Sequence, residues 1–428
     1  MNPVEKGWLK KYLDMNKKQI LEEDEKQTML SNYSSEEEML YAILQPTGVL
    51  YGHPVKFPHL QYNEIAKWED KDKAKVLLAD SFIGSTYRFF EKDVKSEKDS
   101  EEINRMLVKQ VSDYYLEIFP HLIKDSAKKR LSRKKQENEF TESIINNRIE
   151  LKRKLDKNFW TSFFQNSLLF LDIYYFNQWI NPAHLISHDD IHQQHDDIRL
   201  CVLEIIAAAA HANEVVELEE RNLYDYFLQS CQLPSEKEKE AAQYIDEGMN
   251  LTDIDLTKWK DSWLLKKYLL ELAILTVWSD QDVHEKEDEF INELGAKLDF
   301  SDEDIESSKI AIETFVMNNY EQVHYLQEKQ NYKIVAQRFN RSMKKMLNFY
   351  KNSIVQEAKE SKELVYLLNK STKEGLSLEE KEKVRLQLLD VLKTLPIFAL
   401  IALPGRTLTL PILFKVLPKN VLPSAFQN

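Results

Sequence analysis

Apolar residues recur three and four positions apart through most of the chain, the spacing of helices that bury one side. Residues 7–13 carry Trp8, Leu9, Tyr12 and Leu13 on one stripe, which predicts a docking helix or a shallow membrane contact. A helix starts at Ser35, with Glu38 completing a capping box, and runs through Met39 to Leu44. Pro46, Gly48, Gly52, Pro54 and Pro58 then force a loop, in which His53 and His59 face solvent. Further helices cover 73–90 and 102–119, the second ending before Pro120. Residues 159–180 are apolar enough to suggest a span, but Asp172 lies mid-segment, where an aspartate costs about 2.5–3.5 kcal/mol in lipid. A buried core helix is the better expectation. Later, Phe339, Met343, Met346, Leu347 and Tyr350 mark one core-facing stripe, Gly375 ends a helix, and Ser377 with Glu380 caps the next.

Composition narrows the class. The 428 residues include only 8 glycines and 12 prolines, so a chain rich in Leu, Lys and Glu reads as all-α, with two or three domains. So little glycine leaves no Gly-rich phosphate loop, and no G-x-S-x-G elbow is present, which removes most of the case for nucleotide hydrolysis or serine hydrolase chemistry. No set of nucleophile, base and oxyanion donor stands out, and an enzyme is not expected. A formal charge of −13 argues against general nucleic-acid binding and against DNA as a partner, since that needs a cationic face. Cys201 and Cys231 form neither a disulfide framework nor a zinc ribbon and read as buried thiols. The N-terminus has no apolar core of a secretory signal, so the acidic bulk is expected on the cytoplasmic side.

The stretch 395–426 is unlike the rest. The 21 residues between Lys393 and Lys415 hold one charge, Arg406, against the ~20 apolar residues that cross a bilayer core. Pro396, Pro404, Pro411, Pro418 and Pro423 interrupt it, so a kinked span or two half-helices meeting at Gly405 and Arg406 is expected, with a proline-broken hairpin in a globular core as the other reading. Prolines in apolar sequence followed by LFKVLPKNVLPSAFQ resemble the membrane segment of the LETM family, the leucine-zipper transmembrane proteins. The matching positions also include Leu413, Lys415, Leu417, Leu422, Ser424 and Phe426, while Gly405 and Arg406 stand where larger apolar and acidic residues are expected. In that family a soluble ribosome-binding region follows the span, and this sequence ends at Asn428. The resemblance implies membrane ion homeostasis or cation/proton exchange at an inner or cytoplasmic membrane.

Two internal patterns bear on metal. His184, His188, His192 and His195 fall on one face if helical, and neutral imidazoles one turn apart can chelate a transition metal, with Asp189 or Asp196 as further ligands; an exposed His/Asp-rich helix without metal is the alternative. A repeat follows at an offset of 67 residues, Leu203 lying over Leu270, with Glu204 on Glu271, Asn213 on Asp280, Val216 on Val283 and Glu220 on Glu287. Each half is an apolar helix, a polar corner, an acidic helix start and a further helix capped at Ser235 or Ser301. This resembles the TerB-like domain of tellurite-resistance proteins, whose corner acids are implicated in metal binding. That resemblance places a divalent cation at Asp280, Asp282 and Glu287, and a weaker site at Asn213, Glu217 and Glu220. Read from the residues alone, the acids either converge on a hard cation or favour the positive end of a helix dipole. An EF-hand is excluded, because Glu285 stands at its glycine position. The basic window KKRLSRKK at 128–135 is either a patch for anionic lipid or ribosomal RNA, or a solvated helix face.

The expected architecture is an all-α multi-helix bundle: an N-terminal helical region (1–180), a TerB-like double repeat (181–310), a helical connector (311–393) and a LETM-like membrane segment (394–428). Expected partners are membrane lipid, a second copy of the chain, or a ribosomal or envelope protein. A non-transporting membrane-anchored scaffold is the alternative function.

Overall fold

The computed structural model describes residues 1–20, 35–52, 60, 65, 67–90, 96–119, 137–150, 166–181, 187–212, 216, 218–278, 285–319, 329–373, 375–395 and 398. Among the described residues there are sixteen α-helices and no strand, so the fold is all-α. No helix among them is long and apolar enough to cross a membrane. The prolines of the C-terminal stretch, with Arg406, lie outside the described residues, as does the basic window at 128–135. Contacts divide the chain into two units, each discontinuous in sequence. The first comprises Met1–Met29, Thr47–Asp255 and Leu275–Glu287; the second comprises Leu30–Pro46, Leu256–Ile274 and Asp288–Asn428.

The first unit is built from α1 (Trp8–Ile20), α3 (Asp70–Phe90), α4 (Glu97–Ile118), α5 (Glu137–Ile149), α6 (Leu169–Ile180), α7 (His188–Ala210), α8 (Leu218–Cys231) and α9 (Ser235–Glu247). The stripe on α1 is buried as its spacing predicts, and α1 packs on α4 and α5. Its start is held by another helix as well as by the Trp8 amide's bond to the Glu5 carbonyl. The Glu142 carboxylate of α5 accepts from the Gly7 amide at 2.9 Å and the Leu9 amide at 3.2 Å, satisfying amides that a helix start leaves without intrahelical partners. Tyr12 then donates to Asp80 of α3 at 2.7 Å. α6 is apolar nearly all round and is accordingly buried against α3, α4 and α7, with the Phe176 ring 4.5 Å from Phe82 and 5.6 Å from Tyr114. The expectation of a core helix over 159–180 holds for the described part, Leu169–Ile180.

The second unit contains α2 (Glu36–Leu44), α12 (Asp302–Asn318), α13 (Lys329–Phe349), α14 (Lys351–Glu360), α15 (Lys362–Lys373) and α16 (Leu378–Lys393). It also takes most of α10 (Trp263–Val277) and of α11 (Glu285–Lys297), the division between units falling inside both helices. Glu37 of α2 repeats the device seen at α1: its carboxylate accepts from the Leu264 amide at 2.9 Å and from the Ser262 hydroxyl at 2.7 Å at the start of α10. α12 and α13 form the main pairing, burying Phe339, Met343, Met346 and Leu347 as the stripe predicts. Tyr350 is only half-buried and donates to Glu303. Capping boxes open α12 at Ser301 with Asp304 and α16 at Ser377 with Glu380.

Three sequence expectations need correction in detail. The helix expected from residue 102 starts at Glu97, because Ser96 accepts from the Asp99 amide and caps it one turn earlier. Ser235 is not a cap: Pro234 holds the cap position without a side-chain bond, and Ser235 is the first helical residue. The loop after Pro46 is tighter than expected, two short 3-10 turns flanking Gly48. Gly52 ends the second turn at φ +71°, and a β-carbon there would lie 2.3 Å from the Ser167 backbone nitrogen. Gly52→Ala should therefore destabilise the first unit by more than the roughly 1–3 kcal/mol of a left-handed residue alone, since the contact is with backbone that cannot swing away. Urea titration of the variant checks this.

Candidate functional site

The densest group of chemistry-bearing side chains is buried inside the first unit, where α4, α5, α6, α7 and the end of α8 converge. Asp172 sits in the first turn of α6 among Leu169, Phe170, Leu171, Ile173, Tyr174, Tyr175 and Phe176, all buried, and is carried inward with them. Arg148, in the last turn of α5, meets it with two donors, Nε at 2.7 Å from Oδ2 and a terminal nitrogen at 3.1 Å from Oδ1. Tyr115 of α4 donates to Oδ2 at 2.8 Å. His195 of α7 is fully buried, its Nε2 at 3.7 Å from Oδ1, beyond hydrogen-bond reach, and its ring lies edge-on to Phe119 and Tyr175.

A second arginine completes the group. Arg199, one turn after His195, pairs with Asp196 and donates to the carbonyls of His195, Cys231 and Gln232. Arg148 also donates to the Ser230 carbonyl at 3.3 Å. The two guanidiniums thus take the terminal carbonyls of α8, where Gln232 turns the chain at φ +49°. Cations at a helix C-terminus are favoured by its dipole and by unmet carbonyl acceptors. Both arginines also lie over the Phe119 ring, at 4.9 Å and 4.6 Å from its centroid.

Charge states follow from this packing. Burial alone would push Asp172 up, but the Arg148 guanidinium, with His195 beside it, holds it well below the usual carboxylate range. Burial pushes His195 down to about 4, with Arg199 adding to the effect and Asp172 opposing it. The Cys231 thiol is pushed up to about 12 by burial, so it stays protonated and is a poor nucleophile. Arg148 with Asp172 is a neutral unit whose hydrogen bonds tie α4, α5, α6 and α8 together.

The residues singled out in the sequence fare differently. His195 is in this core, whereas His192, one turn earlier on α7, is half-exposed, so the histidine stripe runs from the surface into the interior. His184 and the His188 side chain lie outside the described residues. So do Asn213, Glu217, Asp280, Asp282 and the Glu287 side chain, while Glu220 is buried in the first turn of α8. Among the described residues no group of three or more His, Cys, Asp or Glu side chains is placed to hold a metal ion. Cys201 and Cys231 are both buried free thiols, as expected. The Arg148–Asp172 pair had no local sequence signal. Compared with family models, curated proteins and solved structures, the chain has no significant match.

Asp172→Ala should cost about 3–5 kcal/mol, because it leaves the Arg148 cation buried without its partner, and Arg148→Met with Asp172→Leu should recover much of that loss in a double-mutant cycle. The pH dependence has a definite sign. His195 binds its proton near pH 6.5 in the unfolded chain and only near 4 when folded, so its contribution is complete above 6.5 and is lost as pH falls towards 4. Asp172, depressed on folding, withdraws its contribution at lower pH still. Lowering the pH from about 7.5 to about 4.5 should reduce the denaturant midpoint of the first unit, followed by the protection of its own amides, more in the wild type than in His195→Gln.

Proposed function

We propose that this protein is a membrane-anchored, LETM-like protein that acts in cation/proton exchange or membrane ion homeostasis, tethered by the stretch 395–426. The observation that carries this reading is the change of sequence that follows α16. A capped, charged helix ends at Lys393, Leu395 and Phe398 are packed behind it, and the residues up to Lys415 then hold Arg406 as their one charge. A cation in lipid costs several kcal/mol unless it pairs, snorkels or faces water, and no acidic residue follows Thr394 to pair with it. In this reading Arg406 is met by a water-lined path, lipid phosphates or another protein. In this reading the corner acids Asp280, Asp282 and Glu287 of the TerB-like repeat are the divalent-cation site, with Asn213, Glu217 and Glu220 as its weaker counterpart.

A second reading is a membrane-anchored scaffold that transports nothing. It is favoured by α15 and α16, which stand immediately before the apolar stretch and leave Tyr366, Leu378 and Leu386 exposed, side chains suited to a protein partner at the bilayer.

Truncation after Phe398, which retains the packed Leu395 and Phe398, should move the chain from the membrane to the soluble fraction. A truncated protein that still pellets with membranes removes the anchor from both readings. In proteoliposomes, the exchanger reading expects pH-dependent cation flux that Arg406→Leu alters while insertion is unchanged; flux equal to empty liposomes from inserted wild type leaves the scaffold. Adding Ca²⁺, Mg²⁺, Mn²⁺ or Zn²⁺ should raise the melting temperature of the wild type and not of Asp280→Asn/Asp282→Asn, since a ligand held only by the folded state stabilises it by mass action.

A further inference from the structure

The second unit buries a carboxyl group that no cation among the described residues neutralises by contact. Glu313 lies in the middle of α12, 1% exposed, at the face where α13 packs. Its Oε1 accepts from the Ser342 hydroxyl of α13 at 3.3 Å, and its Oε2 has no hydrogen-bond partner among the described residues. Two hydrogen-bonding oxygens with one neutral donor suit a carboxylic acid poorly and a carboxylate far worse, because an ionised group taken out of water needs opposite charge and several donors.

The charges around it are engaged elsewhere. On α12 itself Lys309 bonds to Asp288 of α11 at 3.1 Å and to Glu306 at 3.5 Å. On α13, Lys345 bonds to Glu306 at 2.9 Å, and Arg338 attracts the Glu313 charge from a distance. On α10, Lys267 is held by Ser308 at 2.8 Å and by Glu271 at 3.7 Å. Glu306 repels a second anion on the same helix. Burial, the largest influence, pushes Glu313 well above the usual carboxylate range, and Ser342, Arg338 and Lys309 only partly oppose it.

We propose that Glu313 is a proton-operated latch: protonated, it lets α13 lie closed against α12, and loss of the proton opens that pairing so that water can reach the carboxylate. The inference goes beyond membrane attachment and does not depend on it. Its reach follows from the chain, since α13 is followed directly by α14, α15 and α16, which pack on one another in sequence and lead to Leu395. Proton activity is thereby coupled to the part of the chain that precedes the apolar stretch.

The sign is fixed by linkage. A carboxyl whose folded value is raised stabilises the closed pairing fully below its unfolded value of about 4.5 and loses that contribution as pH rises towards the folded value. Hydrogen exchange of the amides of residues 335–347 in the full chain, corrected for intrinsic rate, reads the opening. Protection in the wild type should fall about tenfold per pH unit over the range in which the open form is ionised and the closed form is not. In Glu313→Gln, which keeps the shape and cannot ionise, it should stay level. Equal protection across pH in the wild type, or the same decline in Glu313→Gln, overturns the latch. Should the variant not fold, a carbon-13 carboxyl titration of the wild type decides: a Glu313 midpoint well above the ordinary glutamate value supports the latch, and one at the ordinary value of 4.5 overturns it.

Discussion

An aspartate inside an apolar helix sets the terms for the first unit. Asp172 is placed where water cannot reach it, so its charge has to be met from within the protein, and Arg148 and Tyr115 meet it from two other helices. A buried ion pair adds little net stability over an apolar replacement, but losing one partner is severe. Its effect is therefore to exclude alternatives. Helices α4, α5 and α6 could slide against one another with little penalty if held only by apolar contact, whereas a two-pronged guanidinium bond to a carboxylate fixes one register. Phe119 carries the same constraint onward, since both buried arginines lie over its ring, and through them the end of α8 is fixed to α5 and α7.

Much of this architecture was legible from spacing alone, because a stripe of apolar residues names the buried side of a helix without reference to its neighbours. Trp8, Leu9, Tyr12 and Leu13, and the run from Phe339 to Leu347, are buried as that rule requires. Helix starts were legible where the cap is local, as at Ser35 and Ser377, and Ser96 with Asp99 shows that one readable cap was passed over. Ser235 had the right residue type, but Pro234 before it already provides the entry to the helix. The buried cluster was legible only in part. Asp172 was a readable anomaly and the histidine spacing was readable, but Arg148 stands 24 residues away in a mixed-charge segment. Nothing local says that its head group is inside. The burial of His195 depends on Phe119 and Tyr175, contributed by two other helices, and such convergence has no period along one chain.

The same carboxyl chemistry is put to three uses. Glu142 and Glu37 accept backbone amides at the starts of α1 and α10, where a negative charge meets the positive end of a helix. Asp172 is neutralised by a guanidinium. Glu313 has neither among the described residues, and its burial pushes it well above the usual carboxylate range. What separates them is the number of donors in reach, and that number decides whether a buried acid is a fixed brace or a group that answers to its surroundings.

The cap on α1 also has a consequence for how the chain is made. The Gly7 amide waits for a carboxylate 135 residues later, and at about 5–20 residues per second that interval is roughly ten seconds of synthesis. Throughout it the amphipathic N-terminal helix has its apolar stripe without the α5 surface that covers it, and its first turn without its acceptor. The contact that caps α1 therefore closes only after α5 has been made, late in the synthesis of the segment it joins.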